Sequence, residues 1–578
     1  MLKLLKYIRG SALLFAILGP LMMFLEVFMD LLQPTLMSRI IDYGVANGNV
    51  TYVLKTGGLM LICSLIGVIG GILCSIFATI AGTKTAQVLR GELFTKVQTF
   101  SFEELDHFKT SSLITRLTND VTQVQNIIIM GLRAMVRSPL MCIGGLIMAV
   151  SLSRQLSIVL LVALPLIIII VFYVMNKSFH LYGIMQEKID NINTVLRENL
   201  LGIRVVKAFT LEEKQMEHFH TANHDLMTRS MKAQNITILL MPIVTLIVNL
   251  SVVAILWYGG KLSIIGGIET GKIIAFINYL TQIMMSLLML VMMAVNISRG
   301  KVSWDRINEV LETEPSIHES KKADRPSDFT VVFDSVSFQY NKGTEYALKD
   351  ISFRAKAGEK IGIIGGTGSG KSTLVNLIPR LYDVSEGHVL IGDMDVRQIQ
   401  MKFLRDQIGV VLQESILFSG DIESNLKFGK GDASIEELDS ACGDAFATEF
   451  IEQKDGGYKS HVEQRGKNLS GGQKQRLSIA RTLLHQPKIL ILDDSTSALD
   501  MATESKLLKA MKSRMKGSTM FIVAQRLSAV MDADQIIVLE DGKISGMGTH
   551  KTLLETNKLY RNIAISQLGE EGIHHVTK

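Results

Sequence analysis

The run Lys360-Ile361-Gly362-Ile363-Ile364-Gly365-Gly366-Thr367-Gly368-Ser369-Gly370-Lys371-Ser372-Thr373 opens as an apolar strand and turns, at Gly365, into the pattern G-x-x-x-x-G-K-[ST]. In that pattern the glycines let successive backbone N–H groups curl around phosphates, the lysine reaches the outer phosphates and the serine hydroxyl faces Mg²⁺. Leu374-Val375-Asn376-Leu377-Ile378 continues as a helix whose positive N-terminal end points at the same anion. A slack glycine-rich loop would not have a strand on one side and a helix on the other. The chain is therefore expected to bind a nucleoside triphosphate, and the motif leaves open what the nucleotide drives.

The chain has 578 residues, of which 48% are hydrophobic, with a mean hydropathy of +0.29. That is too long for one domain and too apolar for an ordinary soluble protein, so part of it belongs in lipid. The net charge of +5 is small for this length. Lys and Arg concentrate in loops beside apolar segments, a pattern of membrane orientation that speaks against a nucleic-acid partner. Cys63, Cys74, Cys142 and Cys442 show no metal-binding spacing and fit small buried hydrophobes in a reducing compartment.

Met1 to Arg9 carries Lys3, Lys6 and Arg9 among leucines and is expected to lie as a short amphipathic helix on the membrane surface. The apolar run continues to about Leu32 without a small-residue cleavage site, unlike a signal peptide. Five more segments are long enough to span: about Tyr52–Ala81, Ile127–Leu152, Leu156–Val174, Ile236–Tyr258 and Ile273–Ile297. The loops after the second and fourth crossings hold most of the basic residues, which places both loops and both termini in the cytoplasm. Within these loops Gln87 to Val97 and Gln186 to Leu200 keep a helical alternation. The membrane helices are thus expected to extend into the cytosol, with the turning points Ser111–Asp120 and Ala208–Lys214 touching a soluble domain.

Polar residues inside a span are costly, about 2.5–3.5 kcal/mol for a charge at the helix centre. Glu26 and Asp30 share one face of the first crossing and are candidates for a cationic-cargo site or for pairing with a basic residue near the same interface. Asn249, Asn278, Gln282 and Asn296 fit interhelix hydrogen bonding. Met284, Met285, Met289, Met292 and Met293 form a dense run in the sixth crossing, suited to core packing or to flexible apolar ligands.

After Arg299 the composition turns polar, with Pro315 and Pro326. The expected layout is a transmembrane domain at 1–310, a linker at 311–328, a nucleotide-binding domain at 329–567 and a tail at 568–578. The fold class is a membrane α-helical bundle of six transmembrane helices fused to an α/β P-loop nucleotide-binding domain.

Four further motifs accompany the phosphate loop. Leu469-Ser470-Gly471-Gly472-Gln473 precedes a helix-forming stretch, and Lys488-Ile489-Leu490-Ile491-Leu492-Asp493-Asp494 is a buried parallel-strand pattern ending in two carboxylates. Ser497-Ala498-Leu499-Asp500 follows, and Gln413 lies in Val410-Val411-Leu412-Gln413-Glu414. In this order the motifs resemble the ATP-binding cassette (ABC) transporters, specifically half-transporter exporters with six membrane helices ahead of one cassette. The resemblance implies ATP and Mg²⁺ as ligands. It implies that Tyr340 stacks on adenine, that Gly365, Thr367, Gly368, Ser369, Gly370, Lys371, Ser372 and Thr373 hold phosphate, and that Gln413 senses the γ-phosphate. It makes Ser372, Gln413 and Asp493 the metal-associated oxygens. It also implies that Leu469, Ser470, Gly471, Gly472, Gln473 and Asp500 serve the nucleotide of a second subunit.

Two positions depart from the family pattern. A glutamate that polarises the attacking water normally follows Asp493; here it is Asp494, shorter by one methylene, and a displacement of that order costs about 100-fold in rate. A histidine normally stands at position 525; Gln525 can hydrogen-bond but carries no titratable proton. With these two catalytic positions altered and its own L-S-G-G-Q intact, the chain resembles the slow-site half of a heterodimeric ABC exporter, as in bacterial multidrug pairs. The expected activity is ATP-driven export of amphipathic or hydrophobic small molecules across a cell membrane. A homodimeric lipid flippase is the alternative.

Overall fold

The computed structural model describes residues 2–319, 325–341, 343–497 and 499–576. It falls into two compact units: Met1–Gln98 with Ser111–Thr313, and Thr99–Thr110 with Glu314–Lys578.

Helices build the first unit. α1 (Ser11–Arg39) runs on through a π-helical turn at Ile40–Val45, and α2 (Val50–Gln98) follows. α3 (Phe102–Phe108) belongs to the second unit. α4 (Thr110–Thr115) passes through a second π-helical turn, Arg116–Asp120, into α5 (Val121–Leu152). Then come α6 (Ser157–Leu201), α7 (Ile203–Ala208), α8 (Glu212–Ile238), α9 (Leu240–Ile264) and α10 (Thr270–Glu312). Among the described residues six helical stretches are long and apolar enough to cross a membrane. Lipid offers no hydrogen bonds, so the backbone satisfies itself inside each helix, and Pro20, Pro34, Pro139 and Pro165 are accommodated within the spans. The 49-residue α2 is about 74 Å long at 1.5 Å per residue. That exceeds a hydrocarbon layer of about 30 Å, and the predicted extension is realised to Gln98 in α2 and to Leu201 in α6.

Glycine sets how closely these helices approach. A Cβ on Gly300 of α10 would sit 1.2 Å from Ile127 Cδ1 of α5, and one on Gly70 of α2 would lie 3.1 Å from the Met22 carbonyl of α1. Without a side chain at Gly70 the backbones of α2 and α1 come into contact, and the bare backbone at Gly300 receives the Ile127 side chain; such close packing is what holds helices together where lipid supplies no hydrophobic drive.

Five sequence expectations are decided in this unit. Leu2–Tyr7 is a 3₁₀ turn packed on the bundle. Leu4 is buried, Tyr7 meets the buried Trp304 edge-on at 5.9 Å and Lys3 pairs with Glu312, so these side chains face protein where a membrane-surface helix would face lipid. Ser111–Asp120 stays with the first unit, where Ser303 Oγ donates to the buried Asp120 at 2.8 Å; the loop segment packed with the soluble unit is Thr99–Thr110. Asn278 and Asn296 donate to carbonyls of their own helix, Ile274 and Met292, instead of bridging helices, apart from a 4.0 Å contact of Asn296 with Met130 Sδ. The expected linker begins inside a helix, since α10 continues to Glu312, and its residues 320–324 lie outside the described residues.

The fifth concerns Glu26 and Asp30, where the expected alternative of pairing with a basic residue is the one realised. Arg137, within α5, donates one Nη to the Glu26 carboxylate and the other to Asp30 Oδ2 at 2.8 Å. The planar guanidinium fork spans two carboxylates one helical turn apart. A protein cation therefore occupies the position that the cargo reading assigned to a cationic substrate. This pairing predicts that Arg137→Met, which strands two carboxylates, lowers stability in nanodiscs by roughly 2 kcal/mol. That is less than the 3–5 kcal/mol of a fully buried pair, because the Arg137 side chain is 34% exposed. Adding Glu26→Gln and Asp30→Asn to the same chain should recover most of the loss, as measured by thermal unfolding.

The second unit is α/β. Its strands are β1 (Val331–Phe338), β2 (Leu348–Ala355), β3 (Lys360–Gly365), β4 (Glu386–Ile391), β5 (Met394–Asp395), β6 (Ile408–Val411), β7 (Gly420–Asp421), β8 (His461–Val462), β9 (Ile489–Asp493), β10 (Thr519–Val523), β11 (Gln535–Glu540) and β12 (Lys543–Gly548). Six form the main sheet in the order β12-β11-β3-β10-β9-β6, parallel except for β12. An antiparallel sheet β2-β1-β4-β5 faces it across a core that includes Phe333, Phe353, Ile363 and Phe521. β9 and β10 are buried at every position, as a parallel strand covered on both faces must be.

α3 is pinned inside this unit by polar contacts. Ser101 and Glu104 form a capping box, the buried Glu104 carboxylate also accepts from Ser316 N at 2.9 Å, and Tyr382 donates to Asp106 Oδ2 at 2.7 Å. Burial alone would raise the Glu104 carboxyl, but the bonds from Ser101 and Ser316 hold it below its ordinary value. Position 567, expected to end the cassette, falls within the helix Lys558–Val576, which kinks at Gly569.

Candidate nucleotide site

β3 delivers the chain to the phosphate loop, and α11 (Lys371–Leu377) carries it away. Gly368 and Gly370 adopt φ of +83° and +95°, and a Cβ on Gly370 would lie 2.7 Å from the Ala347 carbonyl; only glycine meets both demands. Thr367 is exposed at the crest of the loop and Ser369 is buried with its Oγ unpartnered, while Gly365 lies against the Leu539 carbonyl. Lys371 Nζ donates to the carbonyls of Gly365 at 3.0 Å and Gly366 at 2.6 Å. This curls the lysine back over the loop, where its charge faces the first turn of α11.

Parallel pairing brings the acids to the same place. β10 pairs with both β3 and β9, so the residues that follow Val523 and Asp493 emerge at the carboxyl end of the sheet beside the phosphate loop. Ser372 Oγ donates to Asp493 Oδ1 at 2.9 Å. Gln413 is exposed two residues beyond β6, whose Val411 is in register with Leu492, and so belongs to the same edge. Serine hydroxyl, carboxylate and amide carbonyl are hard oxygen donors. Among the described residues no cluster of three His, Cys, Asp or Glu exists. The set suits Mg²⁺, which binds through one or two carboxylates and completes its shell with phosphate and water.

The two departures from the family pattern meet directly. Asp494 sits at φ +46°, its N–H donating to the Val523 carbonyl at 3.0 Å, and Gln525 Nε2 donates to Asp494 Oδ2 at 2.9 Å. Burial raises both the Asp493 and Asp494 carboxyls above the ordinary carboxylate range, opposed by bonds from Ser372 and Gln525 respectively and by Lys371. Burial lowers Lys371, opposed by Asp494 and Asp493.

What holds Gln525 is not visible in the amino-acid order. Gln567, in the helix Lys558–Val576, donates to the Gln525 carbonyl at 2.8 Å and accepts from Leu527 N at 2.7 Å. Arg526 donates to the carbonyls of Leu499 and Ser497, fixing the segment after Asp494. Both are contacts between distant parts of the chain, and no local spacing announces them.

Tyr340 shares a hydrogen bond of 2.9 Å with Thr373 Oγ1 and stands edge-on to Phe338 and Tyr382, beside a cavity of about 500 Å³. Ser470 lies at the N-cap of the helix Gly471–His485: its Oγ accepts from Gln473 N, and Gln473 Oε1 accepts from Ser470 N. Leu469 is buried, whereas Ser470 and Gly471 are exposed. Asp500, expected to serve a second subunit, caps the helix Met501–Arg514 through Ala502 N and Thr503 N.

A phosphate loop with a buried acid two strands away in the same sheet, on a chain with six helical stretches long and apolar enough to cross a membrane among the described residues, defines a membrane protein powered by a nucleoside triphosphate. Residues 16–287 match the family described as "ABC transporter transmembrane region", and residues 348–497 match "ABC transporter". The chain is 41% identical over 572 residues to YfiB of Bacillus subtilis, an uncharacterized ABC transporter ATP-binding protein, covering 99% of each. It is 33% identical to YgaD of the same organism, a putative multidrug export ATP-binding/permease protein, over 84% of each chain. A solved bacterial Atm1-family ABC exporter with ATP bound superposes with a TM-score of 0.79 at 26% identity, covering 96% of this chain and 99% of that one. The chain belongs to the ABC transporter family: it is an ATP-hydrolysing exporter, a multi-pass membrane protein of the half-transporter kind.

The raised carboxyls fix a pH dependence. Between the ordinary carboxylate value and the raised folded values, the folded domain holds more protons than the unfolded chain, so these groups make stability fall as pH rises through that window. Asp493→Asn removes one of them. Without nucleotide this variant should melt about 2 °C above the parent near pH 7, with the gap closing towards pH 4, while losing the stabilisation that Mg-ATP gives the parent; thermal-shift curves check both.

Proposed function

We propose that this chain is the slow-site half of a heterodimeric ABC exporter of amphipathic or hydrophobic small molecules, in a cell membrane with both termini cytoplasmic. The carrying observation is the 2.9 Å bond from Gln525 Nε2 to Asp494 Oδ2. The carboxylate at the hydrolytic position is one methylene short and is held by an amide that cannot take up a proton. ATP is held by Tyr340 at its base and by Lys371 and the loop N–H groups at its phosphates. Ser372, Gln413 and Asp493 hold Mg²⁺, which neutralises phosphate charge when bound.

The other half of the reading concerns the partner. Ser470 and Gly471 stand exposed at the positive N-terminal end of a 15-residue helix, a ready site for a γ-phosphate. In the proposed assembly that phosphate belongs to the partner's competent site. Leu200, Leu201 and Phe209, at the outer end of α6 and just past α7, are 69%, 82% and 71% exposed. Such an apolar group beyond the membrane span calls for a protein cover, and a second half-transporter provides one. The similarity to YgaD, a putative multidrug export protein, supports small-molecule cargo.

The chain purified alone should turn over ATP slowly, and the correct partner should raise the rate at least tenfold. In the pair, Ser470→Ala should cut hydrolysis about tenfold while ATP binding at Lys371 persists, and Asp494→Glu should leave the competent site working. Brisk turnover by the chain assembled only with itself, or full turnover in the Ser470 variant, would reject the asymmetric arrangement.

A further inference from the structure

A single carboxamide clasps the Gln525 segment. Arg526 is extended, at φ −92° and ψ 130°, so the carbonyl before it and the N–H after it point the same way. Gln567 brackets the two: its Nε2 donates to the Gln525 carbonyl at 2.8 Å and its Oε1 accepts from Leu527 N at 2.7 Å. A neighbouring parallel strand would present a residue's backbone to the same pair of atoms; here a side chain takes that place. The Arg526 guanidinium meanwhile donates to the Leu499 and Ser497 carbonyls.

The helix Lys558–Val576 delivers that carboxamide from a fixed position. Tyr560 and Ala564 are fully buried in the core that also holds Leu527, Ala529 and Val530, and Ile563 and Leu568 pack against it. Counted from Tyr560, residues 563, 564, 567 and 568 fall at offsets three, four, seven and eight, the repeat of one helix face. Gln567 therefore stands where an apolar side chain would extend the stripe, and its amide answers the two backbone groups it meets. Polar contacts anchor the start of the helix. Asn557 Oδ1 accepts from Tyr560 N at 2.8 Å, Asn557 Nδ2 donates to the Ser545 carbonyl at 3.0 Å, and Tyr560 shares a bond of 2.6 Å with the buried His550. Gly569, at φ +75°, ends this straight part just past Gln567.

The segment so held bears on the phosphates. Gln525 Nε2 reaches Asp494 Oδ2, and Asp494 feels the charge of Lys371, the residue that reaches the outer phosphates. We infer that Gln567 is a positioning residue for the outermost phosphate of ATP: by fixing the backbone on both sides of Arg526 it aims the Gln525 amide at Asp494 and at that phosphate. Gln567 itself touches neither. A Gln525 backbone free to shift by a fraction of an ångström would carry the amide out of its bond to Asp494, because hydrogen bonds weaken steeply with distance and angle. The inference rests on the reading of this site as one that binds ATP, and is independent of how hydrolysis is divided between subunits.

The test is titration calorimetry on the full-length chain in lipid nanodiscs with Mg²⁺, using the β,γ-imido analogue of ATP, which is not split, and ADP, which lacks the outermost phosphate. Gln567→Glu keeps an acceptor for Leu527 N but sets a carboxylate against the Gln525 carbonyl, and Gln567→Met removes both bonds at similar volume. Each should weaken binding of the analogue about fivefold, the range of one lost hydrogen bond, and leave ADP unchanged. The neighbouring Ser566→Ala should change neither. A double-mutant cycle separates aiming from bracing, because Gln567 holds the backbone whatever side chain stands at 525. In a Gln525→Ala chain the Gln567 substitutions should have no further effect on the analogue. Equal weakening of ADP and analogue, or the same loss in the Gln525→Ala background, would overturn the inference and leave Gln567 a structural brace. Normal binding of the analogue by every Gln567 variant would overturn it alone, whereas failure of the parent chain to bind the analogue would overturn the site reading and the inference with it.

Discussion

The chemistry of the soluble unit hangs on one strand pairing. β10 hydrogen-bonds to β3 on one side and β9 on the other, in a register that sets Val523 level with both Ile363 and Asp493. Three stretches far apart in the chain thereby end at one edge: the phosphate loop, the two aspartates and the Gln525 segment. A slip of one residue in either ladder would turn Asp493 to the opposite face of the sheet and away from Ser372. The complete burial of β9 and β10 guards against such a slip, because each side chain is committed to a packed core on one face or the other.

In the membrane unit the governing constraint is the solvent. Lipid neither hydrogen-bonds nor drives apolar surfaces together, so stability comes from close packing at Gly70 and Gly300 and from pairing charge inside the bundle. The Glu26–Arg137–Asp30 triad joins α1 to α5 under that rule.

The two units use their acids differently. Glu26 and Asp30 face a fixed guanidinium. Asp493 and Asp494 are crowded against a lysine that is itself held by backbone carbonyls, and burial keeps both carboxyls above their ordinary range. Such a cluster is poised for a ligand that brings phosphate charge and a divalent cation together.

The six spans, the phosphate loop, the two terminal acids and the substitutions at Asp494 and Gln525 were all legible in the amino-acid order. Each is a local property: hydropathy summed over a helix length, a glycine pattern that only one backbone shape satisfies, or a residue type at a fixed offset. Arg137 was not legible as a partner, because it lies about 110 positions from its carboxylates inside a segment that hydropathy alone marks as a span. Gln567 was hidden for the same reason, as was the membership of Thr99–Thr110 in the soluble unit. The sequence by itself determined the elements and the chemical types at their ends, since these follow from interactions between residues near in the chain. Only the tertiary structure decided which side chains satisfy one another, because desolvated charges and amides take whatever partner the packing of distant helices and strands brings within 3 Å.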